Sequence, residues 1–274
     1  MKTDILLNPM GATYPEMRMA ALAVEPAGFD GIWTWDHLRN TGGPATTPEG
    51  WTVLSALSEV VPLLVLGPLV LNVINRHPAL LANMAATLQE ASGGRLILGL
   101  GAGGGRETPY AVEQRAMGQE PAGDANRARR LVEAIAVIRR LWAGDTSSFE
   151  GEFYTLERPT GFLRPSPLPP MIVGAFGPRM ARLAGEHADG LNTQAGHPQL
   201  AQLVETSRAA HAGSARAKEP FLVTAFAGLS EGNLRPSSRQ RQALEALGVD
   251  RLILLISPPY SADAIRDAGQ LLRG

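Results

Sequence analysis

Leu63-Leu64-Val65-Leu66-Gly67-Pro68-Leu69-Val70-Leu71-Asn72 is an apolar run without polar alternation, broken by Gly67 and Pro68. A strand that is apolar at successive positions has both faces covered, as in a parallel sheet packed under helices. Just downstream, Pro78 stands where a first helical turn tolerates proline, and the spacing predicts a helix from there to Ser92-Gly93-Gly94. Arg95 to Gly101 then reads as the next strand. Strand, helix, strand in that order implies parallel pairing through a helical crossover.

The same alternation extends to both ends of the chain. Upstream, Asp4–Asn8 and Gly31–Trp35 read as strands, Tyr14–Ala27 as a helix closed by Gly28, and Trp51–Val60 as a short helix after a Gly/Pro/Thr-rich loop from Asn40 to Pro48. Downstream, Asp124 is a candidate N-cap for a helix with Ala128, Leu131, Val132, Ile135, Ile138 and Trp142 on one stripe. Phe149–Tyr154 reads as a hairpin. Met171–Ala175, Gly190–Thr193, Phe221–Ala227 and Arg251–Ile256 are the last strands, interleaved with helices at Arg179–His187, Pro198–Ala212, Arg239–Leu247 and Asp263–Leu272, the last capped by Ser261. Eight β/α units in 274 residues favour a (β/α)8 TIM barrel over an open sheet. The reading is therefore α/β, a single barrel domain over residues 1–274, with insertions after strand 4 (Ala102–Asp124) and before strand 5 (Asp145–Pro170).

Composition removes several function classes. With 45% hydrophobic residues the chain can offset its folding entropy, and 25 basic against 26 acidic residues create no field for nucleic acid or an anionic membrane. There is no cysteine, so disulfides and thiolate chemistry are excluded and a cytoplasmic setting fits. The five histidines never fall in H-x-x-x-H spacing, and neither G-x-S-x-G nor a Walker A motif occurs, so no metal is expected. All basic residues except Lys2 and Lys218 are arginine, the bias of a GC-rich, actinobacterial genome.

A barrel of this kind carries its site at the C-terminal ends of the strands. Trp35-Asp36-His37 ends the second strand: the imidazole suits proton exchange near neutral pH, and Asp36 suits a cofactor or backbone hydrogen bond. Asn72 ends the third and offers an amide to a planar ring, while Arg76 offers a guanidinium to an anion; both also read as turn residues, and His77 as a helix cap. Gly99-Leu100-Gly101-Ala102-Gly103-Gly104 matches G-x-G-x-x-G, but no helix opens at once after it. Its glycines would instead let a ligand approach the backbone. Gly174-Ala175-Phe176-Gly177-Pro178-Arg179 leads into a helix N-terminus suited to a phosphate, and equally reads as a plain β-to-α turn.

As a set, Gly28-Phe29-Asp30-Gly31-Ile32-Trp33 through Asp36-His37, Asn75-Arg76-His77-Pro78, Ser92-Gly93-Gly94-Arg95 through Gly103, Arg129–Trp142, Phe149–Tyr154 and Ala188-Asp189-Gly190-Leu191-Asn192 resemble the bacterial luciferase-like superfamily. That superfamily joins FMN-dependent monooxygenases to oxidoreductases using the deazaflavin coenzyme F420. The resemblance implies a barrel holding F420 or FMN at its mouth, with Asp36 and His37 beside the ring and His37 as acid/base. It implies a cis peptide at Leu69-Val70 behind the ring, Asn72 at the ring edge and Gly174–Arg179 around the phosphate. Gly103, Gly104 and Glu107 fall where many deazaflavin enzymes carry a glutamate or a Trp-Asn pair. The expected activity is hydride transfer between F420 and a small organic substrate. The alternatives are an FMN monooxygenase using oxygen, and a flavin-binding barrel without turnover. The resemblance also implies homodimers, which many family members form, and the scarcity of lysine argues against a sugar phosphate.

Overall fold

The structure, a computed structural model, describes residues 1–40 and 43–274. Thr41 and Gly42 of the expected Asn40–Pro48 loop lie outside the described residues. The elements follow in the order β1 (Lys2–Leu7), α1 (Tyr14–Ala27), β2 (Gly31–Thr34), α2 (Gly50–Leu57), β3 (Val65–Pro68), β4 (Leu71–Asn72), α3 (Pro78–Ala91) and β5 (Leu98–Gly101). Next come α4 (Ala111–Ala116), α5 (Asp124–Trp142), β6 (Phe149–Glu150), β7 (Thr155–Leu156), β8 (Met171–Gly174), α6 (Pro178–His187) and β9 (Gly190–Gln194). The chain ends with α7 (Leu200–Ala212), β10 (Leu222–Gly228), α8 (Glu231–Leu234), α9 (Arg239–Ala246), β11 (Arg251–Ile256) and α10 (Ala262–Arg273).

Nine parallel strands run in the order β3-β2-β1-β11-β10-β9-β8-β5-β4. Leu66 donates its N–H to Arg95 and accepts from Ile97, each at 2.9 Å, which returns β3 to the entrance of β5. The result is a nearly closed barrel of the (β/α)8 type, with β6 and β7 forming a separate antiparallel hairpin. Eight strands were expected and nine occur. The third is split, because the backbone leaves the ladder at Leu69-Val70, where the peptide is cis.

Two packing shells follow from strand alternation. Outward residues such as Ile5, Leu7, Leu98 and Leu254 meet the helices, and inward residues Leu6, Trp33, Ile97, Ile172 and Ile253 fill the barrel. The Trp33 ring lies so close to Gly67 that a Cβ there would be 2.1 Å from it. At the N-terminal end, Asp4 takes both guanidinium bonds of Arg251 at 2.7 Å and the Trp33 indole N–H at 2.9 Å. Burial pushes the Asp4 carboxyl up, against the pull of Arg251.

Helix ends show both agreement and shift. Gly28 closes α1 with φ 93°, and Ser261 caps α10 by accepting from Ala264 N–H. Asp124 was expected as the cap of α5, but Gly123 holds that position and Asp124 is the first helical residue, its carboxylate bonded to Arg127. The short helix α8, just after β10, carries too few residues to leave a periodic trace in the sequence.

Candidate active site

Trp35-Asp36-His37 leaves β2 at the C-terminal mouth. Asp36 is 6% exposed and both its oxygens are engaged. Oδ1 accepts from Arg76 Nη2 at 2.7 Å; Oδ2 accepts from Arg76 Nη1 and from Asn72 N–H, both at 2.8 Å. Burial pushes this carboxyl up, opposed by Arg76 and the Asn72 N–H. Arg76 also bonds Glu49, which in turn caps α2 by accepting from Trp51 and Thr52 N–H. Partial burial would raise Glu49, but the Thr52 bonds and the Arg76 charge hold it below the usual carboxylate range. Asp36, Arg76 and Glu49 therefore brace the loops after β2 and β4 against the start of α2, and the guanidinium read as an anion receptor is committed to that brace.

His37 is oriented by three neighbours. Nδ1 is 2.8 Å from Glu113 Oε1, Tyr110 stacks on the ring at 4.8 Å and 21°, and Trp35 meets it edge-on at 5.6 Å. A carboxylate oxygen accepting here needs the hydrogen on Nδ1, and a neutral imidazole in that tautomer has its lone pair on Nε2. Nε2 has no partner among the described residues, and the side chain is 21% exposed while Glu113 is 6% exposed. Glu113 and Tyr110 come from α4 and its approach, and were not singled out in the sequence. Their one signal is a short apolar-polar stretch, Tyr110-Ala111-Val112-Glu113-Gln114, inside an otherwise irregular segment. Glu107, the carboxylate named there, stands exposed.

In the inner wall, Val70 sits among three glycines. Cβ atoms built on Gly99, Gly101 and Gly174 would stand 3.0, 2.6 and 3.2 Å from Val70 methyl groups, so these glycines form a bay that Val70 fills. Leu69, 7% exposed, donates its N–H to Thr34 at 2.8 Å. Asn72 Oδ1 accepts from Ile74 N–H at 3.0 Å. The Asn72 amide also borders Gly103, whose φ of +78° and 2.6 Å approach to Oδ1 demand glycine. Gln114 Nε2 lies 3.0 Å from the same Cβ position, and both amide atoms of Gln114 and of Asn75 are buried without a partner among the described residues. Gly104 packs against Tyr110, where a Cβ would lie 2.6 Å from the Tyr110 Cβ.

Across the mouth, Ala175 N–H donates to Asn192 at 2.8 Å and Phe176, 56% exposed, meets Phe226 edge-on at 6.2 Å. Gly177 is the N-cap of α6, with nothing within 4 Å of its Cβ position. Pro178 has no N–H, and the N–H groups of Arg179 and Met180 precede the first intrahelical bond, from Ala181 to Gly177. With Arg179 exposed beside it, this end suits an anion. Among the described residues no helix is long and apolar enough to cross a membrane, and no group of three metal-ligating side chains occurs.

A family model described as luciferase-like monooxygenase matches residues 3–252. The F420-dependent glucose-6-phosphate dehydrogenase of Nakamurella multipartita is 35% identical over 185 residues, covering 66% of this chain and 52% of the relative. The 5,10-methylenetetrahydromethanopterin reductase of Archaeoglobus fulgidus is 29% identical over 247 residues, 90% of this chain and 68% of the relative. The chain thus spans about half the length of the dehydrogenases it matches, 52% for those of Nakamurella multipartita and Microbacterium testaceum. Among solved structures, an F420-dependent secondary alcohol dehydrogenase in complex with an F420-acetone adduct superposes with TM-score 0.80 at 20% identity, covering 100% of both chains. The monooxygenase RslO1 from Streptomyces bottropensis gives TM-score 0.74 at 21% identity over 99% of this chain and 97% of that one. These two likenesses speak for the fold, and the family match over residues 3–252 fixes the lineage: the chain belongs to the luciferase-like monooxygenase family.

Proposed function

We propose that the chain is one barrel domain over residues 1–274 that binds coenzyme F420 at its mouth and moves a hydride between it and a small organic substrate. The observation that carries this is the oriented His37–Glu113 pair at a strand end, together with the Val70 bay and buried amides that have no partner among the described residues. The residues present suit a flat deazaflavin with a phosphate tail. Val70 in its glycine bay offers a smooth apolar wall, and the Asn72, Asn75 and Gln114 amides offer donors and acceptors to a polar ring edge. Gly103 and Gly104 permit close approach, and Gly174 to Arg179 lead to the anion-suited helix end.

Bound F420 supplies a two-electron hydride carbon, chemistry that no side chain here provides. His37 handles the balancing proton: Nε2 takes it from a substrate hydroxyl on oxidation, or returns it to a carbonyl oxygen on reduction. Glu113 holds the tautomer that leaves Nε2 available. Asp36 has no free oxygen, so its part is to position the mouth rather than to transfer protons.

Titration of the purified protein with F420 and, separately, with FMN, followed by fluorescence, tests this reading. Micromolar F420 binding with weak FMN binding is the expected result. Tight FMN binding without an F420 response would replace it with oxygen chemistry, and binding of neither would leave a barrel without this cofactor function.

A further inference from the structure

The mouth is divided by charge. The loops after β2, β4 and β5, each up to the next helix (residues 35–49, 73–77 and 102–110), carry all the aspartates and glutamates of the strand-end loops, with Arg39, Arg76 and Arg106. The loops after β9, β10, β11 and β1 (residues 195–199, 229–230, 257–261 and 8–13) contain no Asp, Glu, Lys or Arg, and His197 is their one titratable side chain apart from Tyr260. Those four strands are neighbours in the barrel, so the uncharged loops form one continuous arc.

What the arc presents follows from alternation. Leu6 and Ile253 point inward, so Asn8 and Ser257 do so at the rim, and Asn192, bonded to Thr224 at 2.8 Å, puts Gln194 above it. Asn8 Nδ2 donates to Ser257 Oγ at 3.1 Å, leaving the Ser257 hydroxyl hydrogen for another acceptor. Gln194 is exposed and has no side-chain partner among the described residues. Phe226 packs on the inner core and meets Phe176 edge-on, giving an aromatic flank. Lys2 pairs with Asp30 at 2.8 Å at the opposite end of the barrel, and Lys218 follows α7 at that end too. An anion entering this arc would exchange water for amides, a hydroxyl and rings, with no cation in these four loops to compensate its desolvation, and Arg235 beyond the β10 loop pairs with Glu231 at 3.2 Å.

Resting on the proposed hydride-transfer site, we infer that the substrate is an uncharged alcohol or ketone with an apolar flank. Its polar groups are read by Gln194 and Ser257 and its hydrocarbon by Phe226 and Phe176. Phosphorylated and carboxylated substrates are rejected at this arc, although the matched relative from Nakamurella multipartita is named for a sugar phosphate.

Two probes that differ by one carboxylate, acetophenone and 4-acetylbenzoate, decide this by equilibrium binding. Saturation-transfer NMR is run on the protein with oxidised F420, where a ketone cannot turn over, and glucose 6-phosphate serves as a third probe. Acetophenone is expected to bind at least tenfold more tightly than either anion. Gln194→Lys, at an exposed position, is expected to narrow the acetophenone-to-acetylbenzoate ratio at least fivefold without changing Tm. Equal or tighter binding of an anion, binding of no probe, or an unchanged ratio in Q194K with Tm retained would overturn the inference. F420 fluorescence on the same samples reports on the cofactor reading alone. Absent F420 binding with the ketone preference intact would fail that reading, and F420 binding without the preference would fail this one.

Discussion

Gly101→Ala tests whether Val70 is seated in a glycine bay. The added Cβ would stand 2.6 Å from Val70 Cγ2, roughly 1 Å inside an ordinary carbon–carbon contact. Overpacking of that kind costs about 1–3 kcal/mol, and the entropy gained on replacing glycine returns about 0.4–1 kcal/mol. A net loss of about 1–2 kcal/mol is expected, read as a lower urea midpoint at unchanged slope and a Tm drop of about 2–4 °C per kcal/mol. Val70→Ala alone should cost about 1 kcal/mol from lost packing. The double variant should then be no less stable than Val70→Ala, because the methyl that the added Cβ would strike is gone. The coupling energy is therefore about 1–2 kcal/mol in the compensating direction. Single effects that add to within about 0.5 kcal/mol would refute the arrangement, since they would mean that Val70 does not face Gly101.

The other expectations concern charge. His37→Ala should lower F420-linked turnover by about 10²–10⁴-fold with cofactor binding nearly unchanged, and Glu113→Gln should lower it less; unchanged turnover in His37→Ala would remove the proposed base. His77 caps α3 by accepting from Ala79 N–H at 3.1 Å, and burial lowers its pKa, as it does that of His187. The unfolded chain then binds more protons than the folded one, so stability rises with pH through this window and is lost as pH falls below the usual 6.5. His77→Asn should keep the cap and flatten that acid slope in urea titrations at several pH values; an unaltered slope would exclude His77 as its source. Asp4→Asn should destabilise by about 3–5 kcal/mol, because it leaves Arg251 buried without its charge partner; a urea midpoint matching the parent protein would contradict that role. Asp36→Asn should cost stability in the same way and weaken F420 binding through displaced Asn72, whereas a pure loss of kcat at full stability would return Asp36 to proton transfer.

The periodic parts of the fold could be read in the chain because each unit signals locally. The 63–72 run, Gly28 and Ser261 gave strand, stop and cap, and their positions are those of β3–β4, the end of α1 and the start of α10. What lay out of reach depends on pairing across long separations. Nothing in Val112-Glu113-Gln114 indicates that a six-residue helix sets a carboxylate against His37, 76 residues upstream. The family resemblance pointed instead to Glu107, which is exposed. Asp36 looks like an acid at a strand end until Arg76, forty residues on, is seen to take both its oxygens. The bay of Gly99, Gly101 and Gly174 is equally silent, because a glycine pattern says where space exists and not which side chain enters it.

The Asp4–Arg251 contact also has a consequence for synthesis. A ribosome releases Arg251 247 residues after Asp4. Until then the first strand has one edge awaiting β11 and an acid with no cation, so closure of the ring waits until residues 251–256 have been synthesised. Nascent chains truncated before residue 251 should therefore depend on chaperones in a way that chains reaching residue 274 do not.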